Sequence, residues 1–263
     1  MNKTAVFMSI YNKDDLLPNC LYSIAKQKLD FPIEFCIVDD CSKNDPYPII
    51  TKFLDSKLVK YKRLEKHEGF IYAQSRCFDL VSPDVDVIIL QSADVILTYP
   101  DCYKILVKEV EPRTITLSCV VDIPIDSSLW KSGNYDNAIK VISDKWESYI
   151  KMEEVDIDGD VYRSSTLYSG RPGCSWLFFA GAIMKEDLIS LGYDKGGCDA
   201  VLNYKMRKCG FRAKLFPALK VIHQRHKKTI PLCPIMDTCS VHCIRKTERW
   251  RNWNKDRLKT FTN

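Results

Sequence analysis

Apolar residues in the first half of the chain alternate between two patterns. Thr4 to Ser9 is a short apolar run at the start, the signature of a buried strand. Asp14 and Asp15 follow where a helix N-cap belongs. Leu16, Leu17, Cys20, Leu21 and Ile24 then recur three and four residues apart, which marks one helix face. Pro18 falls in the first turn of that helix, where proline is tolerated. Ile33 to Val38 predicts a second strand, ending at Asp39-Asp40. Asn44-Asp45-Pro46 is a turn, and Tyr47 to Leu54 reads as helix. Leu58 to Arg63 has the period of two of a third strand. Phe70 to Val81 is helical, and Val85 to Leu90 is a fourth buried strand that closes on Gln91-Ser92-Ala93-Asp94.

Strands and helices in this alternation predict an α/β fold, a mostly parallel sheet sandwiched by helices. Such sheets bind ligands beyond the carboxyl ends of their strands. Three places qualify: Ser9 to Asn12, Asp39 to Ser42, and Gln91 to Asp94. Two of them carry carboxylates, which suit a metal ion or a sugar hydroxyl, because both take oxygen ligands. No Walker-type glycine-lysine loop occurs, and no G-x-G-x-x-G follows the first strand. With 10 glycines in the chain, a backbone phosphate cradle is not expected.

The second half is patterned less clearly. Between Asp122 and Tyr168 the one helical spacing is that of Ile139, Ile142, Trp146, Tyr149 and Ile150, within Tyr135 to Met152; the rest reads as an insertion or long loop. Cys174 to Met184 is strongly apolar and contains Gly181. Lys185 to Leu191 predicts a helix capped by Gly192. Another helix opens at Cys198 or Asp199 and runs to Cys209, stopped by Gly210. Phe211 to Ile222 reads as a strand with Pro217 at an edge or bend. Lys227 to Asn263 is a basic, aromatic tail.

Composition narrows the class. A chain of 263 residues with 46% apolar and 28% charged residues has the make-up of one large globular domain, or of a domain with an appendage. That excludes disorder throughout and low-complexity fibres. No apolar run approaches the ~20 residues of a membrane span. A net charge of +5 is too small an excess to imply nucleic-acid binding. Twelve cysteines without a recognisable secretory signal predict a reducing, cytoplasmic setting. Cys20, Cys36, Cys77 and Cys119 there act as small buried hydrophobes. Cys233, Cys239, His242 and Cys243 lie downstream of His223 and His226, but no C-x-x-C occurs in the chain, so a zinc site is not expected.

Taken in order, these segments resemble the GT-A glycosyltransferases, in particular the family-2-like group. The first strand with S-I-Y-N is similar to that group's opening segment, and I-V-D-D-C-S to its V-V-D-D-G-S. E-G-F-I-Y-A-Q-S-R resembles the stretch before its metal motif. V-I-I-L-Q-S-A-D-V stands at its Asp-x-Asp strand. L-G-Y-D with C-D-A-V-L-N-Y-K-M-R-K-C-G-F resembles its catalytic segment, and F-P-A-L-K-V-I-H its proline-to-histidine strand. The resemblance covers Thr4 to His226, more weakly between Val120 and Cys174.

The resemblance implies a GT-A (Rossmann-like) domain over 1–226, with a nucleotide-sugar half at 1–119 and an acceptor and catalytic half at 120–226. The tail at 227–263 would pack on it. It implies an inverting transferase taking a sugar from a nucleotide-diphosphate donor, UDP-sugar by family default, to a hydroxyl of a glycan, glycolipid or glycoprotein. Mn2+ or Mg2+ would assist, and nucleic acid is not a partner. By the same resemblance Tyr11 stacks on the base with Ser9 beside it, Asp40 accepts a hydrogen bond from the base, Asp39 lies near the ribose and Arg76 contacts the diphosphate. Asp94 and His223 are the metal ligands, Asp199 is the general base, and Trp176 lines the acceptor site.

Two positions depart from the family pattern. Gln91 stands in place of the first acidic residue of Asp-x-Asp, where it offers at most a neutral oxygen to a metal. Cys198 replaces the glutamate before Asp199. Two other functions follow from these departures and from the fold class: a GT-A-like protein that binds a nucleotide sugar or glycan without catalysis, and a sugar nucleotidyltransferase. S-I-Y-N-K-D-D after the first strand lacks the glycine-rich signature of the latter. Between Arg245 and Lys259 the tail interleaves Trp250 and Trp253 with basic residues. That pattern fits a solvated helix, peripheral contact with an anionic membrane, or a lid over the donor.

Overall fold

A computed structural model describes residues 3–124, 136, 152–157, 160–165, 179–195, 202, 205–206 and 208–225. Strand β1 (Thr4–Ile10) leads through a turn into α1 (Leu17–Ala25). Then come β2 (Ile33–Asp39), α2 (Tyr47–Phe53), β3 (Val59–Arg63) and α3 (Phe70–Ser75), with a 3-10 turn at Arg76–Asp79. β4 (Val87–Leu90), β5 (Val95–Leu97), α4 (Cys102–Lys108) and β6 (Thr114–Pro124) follow. β7 (Met152–Ile157) and β8 (Asp160–Ser165) form a separate two-stranded antiparallel sheet. β9 (Gly181–Met184), α5 (Lys185–Ser190) and β10 (Arg212–Arg225) complete the described chain.

The main sheet has the order β3-β2-β1-β4-β9-β6-β10-β5. β3, β2, β1 and β4 run parallel. β9 is antiparallel to both β4 and β6, β10 is parallel to β6, and β5 lies antiparallel on β10 at the far edge. Every residue of β1, β2 and β4 is buried. That is why their sequences are mainly apolar: both faces of a parallel sheet are covered, and the polar Thr4, Ser9, Glu34 and Asp39 are buried with them. Phe7, Met8, Leu17, Ile37, Ile88 and Tyr103 are among the largest fully buried side chains. Each such aliphatic or aromatic residue contributes about 1.5–3 kcal/mol by leaving water.

Several local expectations are corrected. Asp14 and Asp15 do not cap α1. Its N-cap is Leu16, with no side-chain cap, and the Lys13 carbonyl instead accepts the amides of Leu16 and Leu17 at 3.0 and 2.8 Å. The helix expected over Phe70 to Val81 tightens after Ser75 into the 3-10 turn. Two successive residues of that turn serve the core: Cys77 is buried and Phe78 packs edge-on against Phe7, with ring centroids 5.0 Å apart. β5, α4 and β6 are elements that the hydrophobic pattern did not yield. The β7–β8 hairpin lies within the stretch read as a loop or insertion.

Other expectations hold. Gly192 follows α5 with φ +71°, and Gly210 ends the helical residues around Met206 with φ +70°. Pro217 sits where the β10–β6 register shifts between Phe216 and Lys220, a ladder interruption that suits a residue without an amide proton. Cys20, Cys36, Cys41, Cys77, Cys102 and Cys209 are free thiols, and burial pushes Cys36 and Cys102 up to about 12, which makes them inert packing residues. The Cys119 side chain, the helix expected over 135–152 (apart from residue 136 and from Met152, which opens β7 instead) and the tail from 227 lie outside the described residues. Among the described residues no helix is long and apolar enough to cross a membrane.

Candidate active site

The carboxyl ends of β1 and β2 are tied together by short polar loops. Asn12 has φ 49°, a left-handed turn that asparagine tolerates better than most residues. Its amide donates to Ser42 Oγ at 2.9 Å, and its Oδ1 accepts the Lys43 amide at 2.8 Å. Asp39 is fully buried. It accepts the Ser42 amide at 3.1 Å and faces Arg63 Nε at 3.4 Å. Asp39 therefore builds the loop from behind.

Asp40 is also buried, and both of its oxygens are engaged by the chain. Oδ1 accepts the Glu68 amide at 2.6 Å, while Oδ2 accepts the Gly69 amide at 2.8 Å and lies 2.7 Å from His67 Nδ1. Burial pushes this carboxyl above its ordinary range despite the donors around it. Gly69, at φ 95°, opens α3 with a backbone that other residues rarely adopt. Ser9 Oγ donates to the Phe70 carbonyl at 3.2 Å. Tyr11, 38% exposed, stacks on His67 with ring centroids 3.8 Å apart and planes at 17°. Ser9, Tyr11 and Asp40 thus meet around the 67–70 turn. Arg76 lies farther along, 3.5 Å from Glu68 Oε2 and over the Tyr72 ring at 5.6 Å.

A second group forms after β4. His223 is paired with Val95 across β10 and β5, and the Gln224 amide donates to the Asp94 carbonyl at 2.9 Å. This pairing brings His223 Nε2 to 3.5 Å from Asp94 Oδ2, the oxygen on which Lys13 Nζ sits at 2.7 Å. Burial opposes ionisation of Asp94, but the His223 hydrogen bond and the Lys13 charge outweigh it and hold the carboxyl well below the usual carboxylate range. Gln224 stiffens the arrangement: Asn19 Nδ2 donates to its Oε1 at 2.7 Å, and its Nε2 donates to the Leu16 carbonyl at 3.2 Å.

Gln91 does not join this group. It is fully buried, its Oε1 accepts the Tyr103 hydroxyl proton at 3.1 Å, and its Nε2 donates to the carbonyls of Ser92 and Val95 at 3.0 and 3.3 Å. The neutral oxygen that Gln91 could at most have offered to a metal is turned into the core. Among the described residues no set of three or more His, Cys, Asp or Glu side chains could hold a metal ion. Asp94 and His223 are nonetheless a fitting nucleus for one. They offer a carboxylate and an imidazole at one point, and a cation, the Lys13 ammonium, is already seated there. Waters and a bound diphosphate would complete such a shell. Asp199 and Trp176 lie outside the described residues, as does His226. Lys13 and His67 carry no signal in the sequence pattern: each stands one residue outside a motif segment, Lys13 after S-I-Y-N and His67 before E-G-F-I-Y-A-Q-S-R.

Residues 5–168 match the family described as Glycosyl transferase family 2. None of the curated proteins compared matches the chain. Among solved structures it is similar to GalNAc-T7 with UDP, GalNAc and Mn2+, at TM-score 0.57 and 18% identity, covering 86% of this chain and 44% of that one. It is similar to S. aureus TarS 1–349 in complex with UDP-GlcNAc, at TM-score 0.55 and 16% identity, covering 86% and 59%. The mannosyltransferase PcManGT from Pyrobaculum calidifontis, in complex with GDP-Man and Mn2+, gives TM-score 0.53 and 17% identity, covering 89% and 59%. The chain thus spans less than two thirds of the length of each. At these identities the likeness is one of fold.

Proposed function

The chain belongs to glycosyl transferase family 2, and on that premise we propose that it moves a sugar from a nucleoside-diphosphate donor to a hydroxyl of a glycan, glycolipid or glycoprotein. A UDP-sugar is the favoured donor. The observation that carries this reading is the meeting of Asp94, His223 and Lys13 beyond the carboxyl end of β4, the parallel neighbour of β1, whose own carboxyl end Tyr11 follows.

In this reading Tyr11 offers its exposed ring to the base, with Ser9 beneath it. Asp39 and Asp40 act from behind, holding the 39–43 loop and the 67–70 turn on which the nucleotide rests. Arg76, at the carboxyl end of α3, would contact the diphosphate. Mn2+ or Mg2+ held by Asp94 and His223 would neutralise charge on the departing diphosphate. The acceptor hydroxyl attacks the anomeric carbon and gives its proton to the Asp199 carboxylate, while the bond from that carbon to the diphosphate oxygen breaks and its electron pair leaves with the diphosphate. Attack opposite the leaving group inverts configuration. General-base help of this kind is worth about 10²–10⁴-fold.

Calorimetric titration of UDP with and without Mn2+, followed by a donor panel, tests the reading. Binding of a nucleoside diphosphate and transfer to an acceptor are expected. Asp199→Asn should lower transfer by about 10²–10⁴-fold while leaving UDP affinity near that of the parent. A folded D199N protein with undiminished transfer would remove Asp199 from the role. The inward-turned Gln91 favours one alternative, a binder that does not catalyse. Tight donor binding without transfer or donor hydrolysis across the panel would establish it.

A further inference from the structure

We propose that Lys13 is a resident counter-cation of the donor site: its ammonium holds the place on Asp94 in the donor-free protein and passes to the diphosphate when donor and divalent ion arrive together. This rests on the nucleotide-sugar reading above. Lys13 Nζ lies 2.7 Å from Asp94 Oδ2, the same oxygen that His223 Nε2 faces at 3.5 Å. A buried carboxylate needs a nearby positive charge. Among the described residues the ion-pair partners of Asp94 are Lys13 and His223, with Lys13 the nearer of the two.

The ammonium is built to leave. The Lys13 backbone is fixed by its carbonyl, which accepts the Leu16 and Leu17 amides, and by the neighbouring Asn12, which is bonded to Ser42 and Lys43. The side chain is 33% exposed while that of Asp94 is 12% exposed, so the amine can swing off the carboxylate without disturbing the fold. A divalent ion and an ammonium repel each other at one carboxylate oxygen. A diphosphate brings the negative charge that offers Lys13 a second partner. The free protein should therefore resist a lone divalent ion and accept it with the nucleotide. By linkage, each raises the affinity of the other by the same factor.

Mn2+ binding to the full chain, followed by calorimetry and by the loss of the free-ion electron paramagnetic resonance signal, provides the test. In the parent protein UDP should tighten Mn2+ binding by about 10-fold or more. Lys13→Met, with its charge removed and its length kept, should bind Mn2+ alone about 10-fold more tightly than the parent and show a smaller gain with UDP. Lys13→Arg should behave as the parent does. Equal affinity of the parent for Mn2+ with and without UDP overturns the hand-over, and this holds whether or not the variants fold. Equal UDP-linked gains in parent and K13M overturn it too, while leaving the nucleotide-sugar reading intact. If no nucleoside diphosphate binds either protein, with or without Mn2+, that reading fails and the hand-over falls with it.

Discussion

Gln91 shows how much the direction of one side chain decides. Its amide is wholly occupied inside the core by Tyr103, Ser92 and Val95. Restoring the family's acidic residue with Gln91→Asp would set a shorter, charged group against two carbonyls and remove both amide donors. Such a buried, uncompensated charge costs about 3–5 kcal/mol. Urea unfolding should show a loss of that size, with no tighter Mn2+ binding. A stable Q91D protein with enhanced Mn2+ affinity would mean that the position can turn outward. The sequence shows that an acid is missing here; it does not show where the glutamine points, because α4 and the backbone at the end of β4 decide that. The same limit hides the Asp40 partners. The Asp39-Asp40 pair is legible, but the amides that bind Asp40 belong to Glu68 and Gly69, on a turn after the next strand.

Among the elements, β1, β2 and β4 are legible because burial on both faces makes the run mostly apolar, with Glu34 the one charged residue inside it before Asp39 ends β2. β5, with three residues, is too short to show a period. α4 has seven residues and no side-chain cap, so neither of its ends announces itself. The β7–β8 hairpin shows no clear period of two, although Asp158-Gly159, a strong turn dipeptide, stands between its strands in the sequence. The glycine stops are legible too, and they differ in what they tolerate. A Cβ at Gly192 would meet Lys205 Nζ at 3.2 Å, whereas one at Gly210 meets nothing within 4 Å. Gly210→Ala therefore isolates backbone strain at φ +70°, worth about 1–2 kcal/mol. Its melting temperature should fall by about 2–4 °C per kcal/mol. An unchanged melting temperature would mean that the turn has relaxed to another backbone.

Across the whole molecule, buried carboxylates stand at opposite ends of the sheet. At the amino ends Glu34 accepts the Ser82 amide and hydroxyl, both at 2.7 Å, with Lys60 and Lys3 at 3.2 and 3.6 Å. At the carboxyl ends stands Asp94. Burial opposes ionisation of both, yet their partners hold both below their ordinary values. Each thus binds protons less readily in the folded chain than in the unfolded one. The stability they add is present above the unfolded carboxylate range, about pH 4, and drains away as pH falls through it and below. Asp40, raised by burial, works in the opposite sense. Asp94→Asn should lower stability at pH 7 by about 1–3 kcal/mol, and the gap between variant and parent should shrink by pH 3 in denaturant titrations. A gap that stays constant from pH 7 to pH 3 would contradict the ionic role of Asp94. Among the described residues the sheet ends at β3 on one side and β5 on the other. β3 carries Lys60, Lys62 and Arg63 along its five residues, and β5 is three residues long. An open strand edge is a template on which a second copy can grow, and charge and shortness both spoil the template. The charged border at β3 thereby works against fibrillar stacking of one copy on another.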